Sequence, residues 1–142
     1  MIRAFEPCHL RKISPQAAQV GVRKNIDTPG YGQWLVDGGP AYTFMDGDEV
    51  MACAGFIEQT EQRVFAWAIL SEHAGRVMTR LHRATSRGLT MHGFRRVETF
   101  VVEGFDAGVR WIELLGFQRE GLMRSYLEDG QNAWLYARTK NV

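Results

Sequence analysis

The spacing of apolar residues along the chain predicts short strands and helices that alternate. Apolar and polar side chains alternate over residues 1–6, which predicts a strand. Apolar residues at helical spacing predict a helix over residues 9–20, either kinked at Pro15 or beginning near Ser14 with Pro15 at its first position. Residues 21–39 are rich in glycine and follow neither period, so we expect an irregular segment of the kind that often lines a site.

Three strands and a long helix are predicted next. Strand-like runs at residues 41–45, 49–58 and 63–70 are separated by turn sequences, which indicates an antiparallel meander. The third run is apolar on both faces, as expected for a central strand covered by helices. Residues 75–92 predict a helix with an apolar stripe on one side. The opposite side of this helix carries four arginines: Arg76, Arg80, Arg83 and Arg87.

The last third of the chain predicts a strand, a helix and a hairpin. Residues 96–102 form the strand, and residues 107–115 form the helix, capped by Asp106 and ended by Gly116. Residues 117–127 and 133–139 form the hairpin, around an Asp-Gly turn. Because a helix joins them, the strands at 63–70 and 96–102 are expected to be parallel neighbours with a right-handed connection.

The loop before the long helix is the ligand site that this topology predicts. Ligands of such sheets bind beyond the carboxyl ends of the strands. A helix N-terminus there offers backbone amides and a partial positive charge to a phosphate. We therefore expect an anionic ligand at residues 71–77.

Length and composition exclude several classes of protein. The chain has 142 residues, 45% of them hydrophobic, which fits one folded domain and excludes a disordered chain. The formal net charge is 17 minus 16, or +1, so the chain as a whole is not built for a polyanion. No apolar run approaches the roughly 20 residues that span a bilayer, and no signal peptide is visible. Two cysteines without a CxxC pattern predict buried, reduced thiols and a cytoplasmic protein.

One segment resembles a known enzyme superfamily. Residues 108–121 read Gly-Val-Arg-Trp-Ile-Glu-Leu-Leu-Gly-Phe-Gln-Arg-Glu-Gly. This stretch resembles the helix and strand that follow the fifth strand of GNAT N-acetyltransferases, and the order of elements is similar over the whole chain. The resemblance implies a single GNAT-like domain over residues 1–142. Its fold is α/β, with a mixed, mostly antiparallel sheet and a V-shaped splay between two parallel central strands.

The same resemblance implies acetyl transfer from acetyl-CoA to an amine. The pantetheine arm of the cofactor would lie along the backbone of Ala68, Ile69 and Leu70. The residues implied for its phosphates are the loop and first helical turns: Gly75, Arg76, Val77 and Arg80. A homodimer is also compatible, because paired domains are common in the superfamily.

A narrower resemblance is to small GNAT-like proteins of short-tailed phages, including their internal virion protein. It is carried by Phe65-Ala66-Trp67 before the basic helix, by residues 108–111, and by the Asp-Gly hairpin. It implies an alternative function, a catalytically degenerate GNAT-fold protein of a phage or prophage. Such a protein would have a virion-structural or host-interaction role, in the host cytoplasm or in the virion.

Three departures from the family pattern leave both functions open. The phosphate loop of the family contains Gly-x-Gly or Gly-x-Ala, whereas residues 71–77 hold one glycine, Gly75. The usual tyrosine general acid aligns with Ile112, which has no proton to donate. The asparagine common after the fifth strand aligns near Phe105.

Three residues are candidates for proton transfer. His73 lies in the ligand loop and could act as a base or a phosphate donor, or be an exposed loop histidine. Glu103, after the second central strand, could be the general base. Tyr126 could replace the missing acid or serve strand packing. No histidine or cysteine spacing indicates a metal, and the basic helix as a nucleic-acid module ranks last because the net charge is near zero.

Overall fold

Seven strands form one sheet in the computed structural model, which describes residues 1–16 and 22–140. The strands are β1 Ile2–Ala4, β2 Ala41–Asp46, β3 Glu49–Thr60, β4 Arg63–Leu70, β5 Arg96–Val102, β6 Gln118–Met123 and β7 Ala133–Thr139. Their spatial order is β1-β2-β3-β4-β5-β7-β6. Over the described residues the sheet is mostly antiparallel, with one parallel pair formed by β4 and β5.

Four α-helices and two 3₁₀ helices connect the strands of the described chain. The α-helices are α1 Val22–Asp27, α2 Tyr31–Gly38, α3 Met78–His92 and α4 Asp106–Leu114. The 3₁₀ helices are Pro7–Arg11 and Ala74–Val77. None of these helices is long and apolar enough to cross a membrane, a finding that covers only the described residues.

The predicted mixed α/β fold and its parallel crossover are confirmed. β4 and β5 pair in parallel from Arg63 opposite Arg96 to Phe65 opposite Glu98. The helix between them ends at His92, and Gly93 directly after it has a φ of +60°, which favours glycine. The final hairpin is also present, although its first strand is shorter than predicted and ends at Met123.

The helix predicted over residues 9–20 is wrong over the described residues 9–16. The chain forms a 3₁₀ helix over Pro7–Arg11 instead, and Pro15 pairs with Ser71 in an antiparallel bridge. A proline disfavours the helical conformation of the residue before it, and it lacks the N–H that a helix interior requires. These restrictions outweigh the helical spacing of the apolar residues. Residues 17–20, the remainder of the predicted helix, lie outside the described part of the chain.

The prediction of an irregular segment over residues 21–39 is also wrong, because α1 and α2 occupy most of it. Gly30 adopts a φ of +82° directly before α2, so a glycine there separates the two helices rather than preventing them. Leu35 on α2 is completely buried, and this burial stabilises a helix whose glycines lower its intrinsic propensity.

The described residues divide into two compact units, each with its own buried residues. The first comprises Met1–Glu58 with Ala66–Leu81, and the second comprises Gln59–Phe65 with His82–Val142. One cluster of buried side chains forms the core of the first unit: Phe5, Leu10, Ile13, Leu35, Met45, Val50, Cys53 and Ile69. Whether residues 1–142 act as one domain stays a prediction.

A buried tyrosine organises the second unit. Tyr136 on β7 is fully buried and donates a hydrogen bond to the Glu113 carboxylate of α4 at 2.8 Å. Arg119 on β6 donates to the same hydroxyl at 3.0 Å and stacks on Trp134 at 3.8 Å. Burial raises the pKa of Tyr136, and the Glu113 carboxylate adds to the rise. One side chain therefore links three elements.

Candidate functional site

The carboxyl end of β4 leads into the predicted anion-binding loop through a serine turn. Ser71 is buried, and its Oγ accepts a hydrogen bond from the His73 N–H at 3.0 Å. The Ala74 N–H donates to the Ser71 carbonyl at 3.0 Å. A serine that binds a nearby amide in this way stabilises a tight turn. The turn delivers the chain directly into the 3₁₀ helix Ala74–Val77 and α3.

Five backbone amides of this loop already donate hydrogen bonds within the chain. The Ser71 N–H donates to the Met51 carbonyl at 2.8 Å, and the Glu72 N–H donates to the Ser14 carbonyl at 2.7 Å. The His73 and Ala74 N–H groups donate to the Oγ and the carbonyl of Ser71, each at 3.0 Å. The Arg76 N–H donates to the His73 carbonyl at 3.2 Å. An anion site at a helix N-terminus depends on amides that lack an acceptor. These five amides therefore already have acceptors and are less available to a phosphate.

Two arginines supply positive charge at the start of α3, and each faces an acid of the β2–β3 hairpin. Arg76 donates to both carboxylate oxygens of Glu49, at 3.0 and 3.1 Å. Arg80 lies 3.5 Å from Asp46. All four side chains remain about half exposed. Such exposed pairs are weak, so the guanidinium groups can exchange a carboxylate for another anion.

These residues fit the phosphates of a nucleotide-type cofactor by charge. Gly75 directly precedes Arg76, and a Cβ added there would meet no atom within 4 Å. Arginine binds phosphate through a planar set of donors. The assignment of Gly75, Arg76, Val77 and Arg80 to the cofactor stays a prediction, and Val77 is buried, so its side chain faces the protein.

The side chains at the end of β4 are largely buried. Ile69 and Leu70 are 4% and 9% exposed, and Ala68 is half-buried. The Leu70 carbonyl accepts a hydrogen bond from the Gln16 N–H at 3.0 Å. An extended ligand at this edge, as predicted for pantetheine, would have to share or replace that contact.

His73 is an exposed loop histidine next to an acid. Its Nε2 lies 3.3 Å from a Glu72 carboxylate oxygen, and both side chains are just over half exposed. The ring is accessible to a substrate and has a partner for its protonated form. Its role as a base stays a prediction.

Glu103 and Tyr126 both contact the loop before β7, in the second unit. Glu103 accepts a hydrogen bond from the Asn132 side-chain amide at 3.1 Å, and its own N–H donates to the Asn132 carbonyl at 2.9 Å. The Tyr126 N–H donates to the Gln131 carbonyl, and its ring packs edge-on against Phe100 with centroids 5.2 Å apart. Both side chains are exposed. His73 lies in the other unit.

Three potential metal ligands meet in the first 3₁₀ helix, although the sequence spacing did not single them out. Ligand atoms of Glu6, Cys8 and His9 lie within 4.8 Å of one another. The His9 Nδ1, however, accepts the Glu6 N–H at 3.1 Å and lies 2.7 Å from the Thr43 hydroxyl. In the neutral ring the proton then resides on Nε2, which faces Glu6 at 3.6 Å. In this tautomer the Nδ1 lone pair accepts a hydrogen bond and Nε2 carries the proton, so both ring nitrogens already have partners within the chain.

Cys8 contradicts the prediction of two buried thiols. It is exposed in the 3₁₀ helix Pro7–Arg11, whereas Cys53 is completely buried in β3. The predicted helix began at residue 9, so the prediction did not include Cys8 in a surface helix.

Sequence reasoning also missed the partners of the predicted site residues. Asp46 and Glu49 lie at the two ends of the β2–β3 turn. Their charge is opposite to that of the basic helix, and this was the one sequence signal for their ion pairs with Arg80 and Arg76. The contact of Ser14 and Gln16 with the end of β4 had one signal, the Ser-Pro pair that interrupts the helical pattern.

Comparison with solved structures identifies the fold. No protein-family model matches the sequence, and no curated protein matches it. The ribosomal-protein-S18-alanine N-acetyltransferase from Escherichia coli aligns with a TM-score of 0.74 at 13% identity, over 100% of this chain and 94% of that chain. The IAA acetyltransferase from Bacillus cereus aligns with a TM-score of 0.73 at 13% identity, over 99% of each chain.

A third similar structure is that of a spermidine N-acetyltransferase. A spermidine N-acetyltransferase chimera of Vibrio cholerae SpeG and hSSAT aligns with a TM-score of 0.71 at 15% identity, over 98% of this chain and 95% of that chain. At these identities the likeness establishes architecture and leaves the substrate open. The chain has the GNAT acyltransferase fold.

Proposed function

We propose that this protein binds acetyl-CoA and transfers its acetyl group to an amine. The observation that carries the proposal is the full-length match to the fold of several N-acetyltransferases. The arginine pair at the start of α3 supports it, because that is where the fold would receive an anionic cofactor.

In this proposal the first unit binds the cofactor, which supplies an activated thioester. Arg76 and Arg80 neutralise its phosphates. The backbone of Ala68, Ile69 and Leu70 binds its pantetheine arm. Because five amides of the loop have internal acceptors, side-chain charge replaces the backbone cradle that a Gly-x-Gly loop would offer.

Proton transfer is assigned to exposed groups. An ammonium acceptor must lose a proton before its nitrogen can attack a carbonyl carbon, and a carboxylate can take that proton. The Glu103 carboxylate, oriented by the Asn132 amide, is our candidate base, with His73 as the second candidate. The Tyr126 hydroxyl is our candidate proton donor to the departing thiolate.

Calorimetric titration with acetyl-CoA tests the binding step. We expect saturable binding, weakened roughly tenfold or more by Arg76→Glu, because the substitution reverses a charge at the phosphates. Arg87→Glu is the matched control, since Arg87 is an exposed arginine of α3, outside the predicted cofactor residues, and the charge change is the same. Equal losses in the two variants would contradict the assignment of Arg76.

An acetyl-transfer assay against a panel of polyamines and N-terminal peptides tests the chemistry. We expect Glu103→Gln to lower kcat by about 100-fold, as is usual for a general base, with little change in acetyl-CoA binding. Retained kcat in that variant would remove Glu103 from the mechanism, and the same measurement on His73→Gln would then decide the second candidate.

A second candidate function is a GNAT-fold protein without catalysis, such as a phage or prophage protein with a virion-structural or host-interaction role. The internally satisfied amides of the ligand loop favour it. If the protein has this function, we expect no heat of binding at millimolar acetyl-CoA. Acetyl transfer requires that acetyl-CoA binds. The titration therefore separates the two candidates.

A further inference from the structure

A short N-terminal segment pairs with the end of β4. Ser14, Pro15 and Gln16, called the strap below, form an antiparallel bridge centred on Pro15 and Ser71. The Glu72 N–H donates to the Ser14 carbonyl at 2.7 Å, and the Gln16 N–H donates to the Leu70 carbonyl at 3.0 Å. The strap thereby extends the sheet by a two-bond ladder at the carboxyl end of β4.

The strap occupies the edge of β4 that faces away from β3. The Ser71 N–H points toward β3, since it donates to the Met51 carbonyl at 2.8 Å. Backbone groups of successive residues in a strand point to opposite edges. The Leu70 carbonyl and the Glu72 N–H, which bind the strap, therefore face the other edge. Leu70 belongs to the segment proposed above to bind pantetheine.

The sequence of the strap suits pairing with β4 through a small number of hydrogen bonds. A proline favours an extended conformation in the residue before it, so Ser14 is predisposed to pair as a strand. The bridge places both hydrogen bonds on Ser14 and Gln16, so the N–H that Pro15 lacks is not needed. Two bonds hold the strap, while the buried Ile13 keeps its near end anchored in the core of the first unit.

We propose that the strap is an intramolecular competitor of the pantetheine arm of acyl-CoA, and that cofactor binding displaces it from β4. This inference rests on the proposed function. The strap and an extended amide-bearing ligand paired with this edge of β4 would both use the Leu70 carbonyl, so they exclude one another. The fraction of molecules with a displaced strap then sets the apparent affinity for the cofactor.

The first test changes one strap hydrogen bond. Gln16→Pro removes the N–H that binds Leu70, and Gln16→Ala is the matched control that keeps it. We expect Gln16→Pro to bind desulfo-coenzyme A about 2- to 10-fold more tightly than Gln16→Ala, the range for one net hydrogen bond. Equal or weaker binding by Gln16→Pro would overturn the proposal. Thermal unfolding of both variants verifies that each is folded.

The second test locks the strap in place. Pro15→Cys and Ser71→Cys, combined with Cys8→Ser to remove the exposed native thiol, place a cysteine pair across the bridge. We expect the oxidised protein to bind desulfo-coenzyme A at least tenfold more weakly than the same protein after reduction. Similar binding before and after reduction would show that strap and cofactor bind together, which would overturn the proposal.

Hydrogen exchange separates this inference from the proposed function. In the wild-type protein we expect the Gln16 amide to be protected without ligand and to exchange faster at saturating desulfo-coenzyme A. Binding that leaves Gln16 protected refutes the strap and leaves the proposed function standing. Absence of binding in wild type, Gln16→Pro and the reduced double-cysteine protein refutes both.

Discussion

At the scale of single residues, the two cysteines have opposite environments. Cys53 is completely buried, and burial raises its pKa to about 11, against a smaller lowering by the Thr43 hydrogen bond. Cys8 is exposed. The thiolate is the reactive form, and at pH 8 a thiol of that pKa is ionised in only about one molecule in a thousand. We expect an aromatic disulfide reagent to modify one thiol per native chain and two after denaturation, with Cys8→Ser abolishing the native reaction. Two rapid reactions in the native state would contradict the burial of Cys53.

The pairing of Arg76 with Glu49 makes a further prediction at this scale. Removing the acid with Glu49→Gln frees the guanidinium and deletes a negative charge beside the proposed phosphates. We expect the Kd for acetyl-CoA to fall roughly 2- to 5-fold, the range for an exposed ion pair. Glu61→Gln, an exposed acid in the β3–β4 turn, is the control for the change in net charge. Weaker binding after Glu49→Gln would mean that Glu49 orients Arg76 instead of competing for it.

At the scale of elements, the structural effects of proline and glycine differ from those predicted from their positions in the sequence. Pro15 did not kink a helix but moved its neighbours into a bridge with β4. The glycines of residues 21–39 did not prevent helices, because Gly30 turns the chain between α1 and α2 and Leu35 is buried. Asp106, predicted to cap α4, is its first residue, and Phe105 precedes the helix.

The hydroxyl of Tyr136 is expected to stabilise three elements together. Tyr136→Phe leaves the Glu113 carboxylate and Arg119 without their shared partner, while the ring still fills its site. We expect the free energy of unfolding to fall by about 1–3 kcal/mol in urea denaturation. Tyr126→Phe is the control, because that side chain is 48% exposed and its described contact is through the ring. Equal stability of both variants would mean that the Tyr136 hydroxyl does not contribute to the stability of the second unit.

Two glycines test the packing of elements against intrinsic propensity. A Cβ at Gly55 would lie 2.6 Å from the Pro40 carbonyl oxygen and 2.8 Å from the Ala41 Cα, which are backbone atoms. We expect Gly55→Ala to destabilise the fold by about 1–3 kcal/mol. Gly88, in α3, has nothing within 4 Å of an added Cβ, so Gly88→Ala is expected to stabilise it by up to about 1 kcal/mol. Thermal unfolding measures both, and a tolerated Gly55→Ala would mean that β2 and β3 separate easily.

At the scale of the whole molecule, charge is balanced locally as well as in total. The net charge is +1, and two of the four arginines on the basic side of the long helix face acids of the β2–β3 hairpin. We expect no binding of a 20-nucleotide single strand at 150 mM salt in fluorescence anisotropy. Micromolar binding that weakens linearly in log salt would instead restore a nucleic-acid function.

Much of the architecture could be predicted from local pattern alone. The strands from Ala41 to Leu70, the parallel partner at Arg96–Val102 and the final hairpin all follow from period and turn chemistry. The predicted site residues were harder to assess, because their chemistry depends on partners far away in sequence. Arg76 lies 27 residues from Glu49, and the Glu72 amide binds the Ser14 carbonyl across a still longer separation.

Sequence pattern was enough to predict the class of fold, the crossover that precedes the loop at residues 71–77, and the basic side of the helix that follows it. These features depend on local periodicity, which each segment carries in its own residues. The folded structure was needed to show which loop amides already have acceptors, which arginines face acids, and that Ser14 and Gln16 pair with the end of β4. The physical reason is that hydrogen bonds and ion pairs depend on distances between separate segments, and side-chain type alone does not specify those distances.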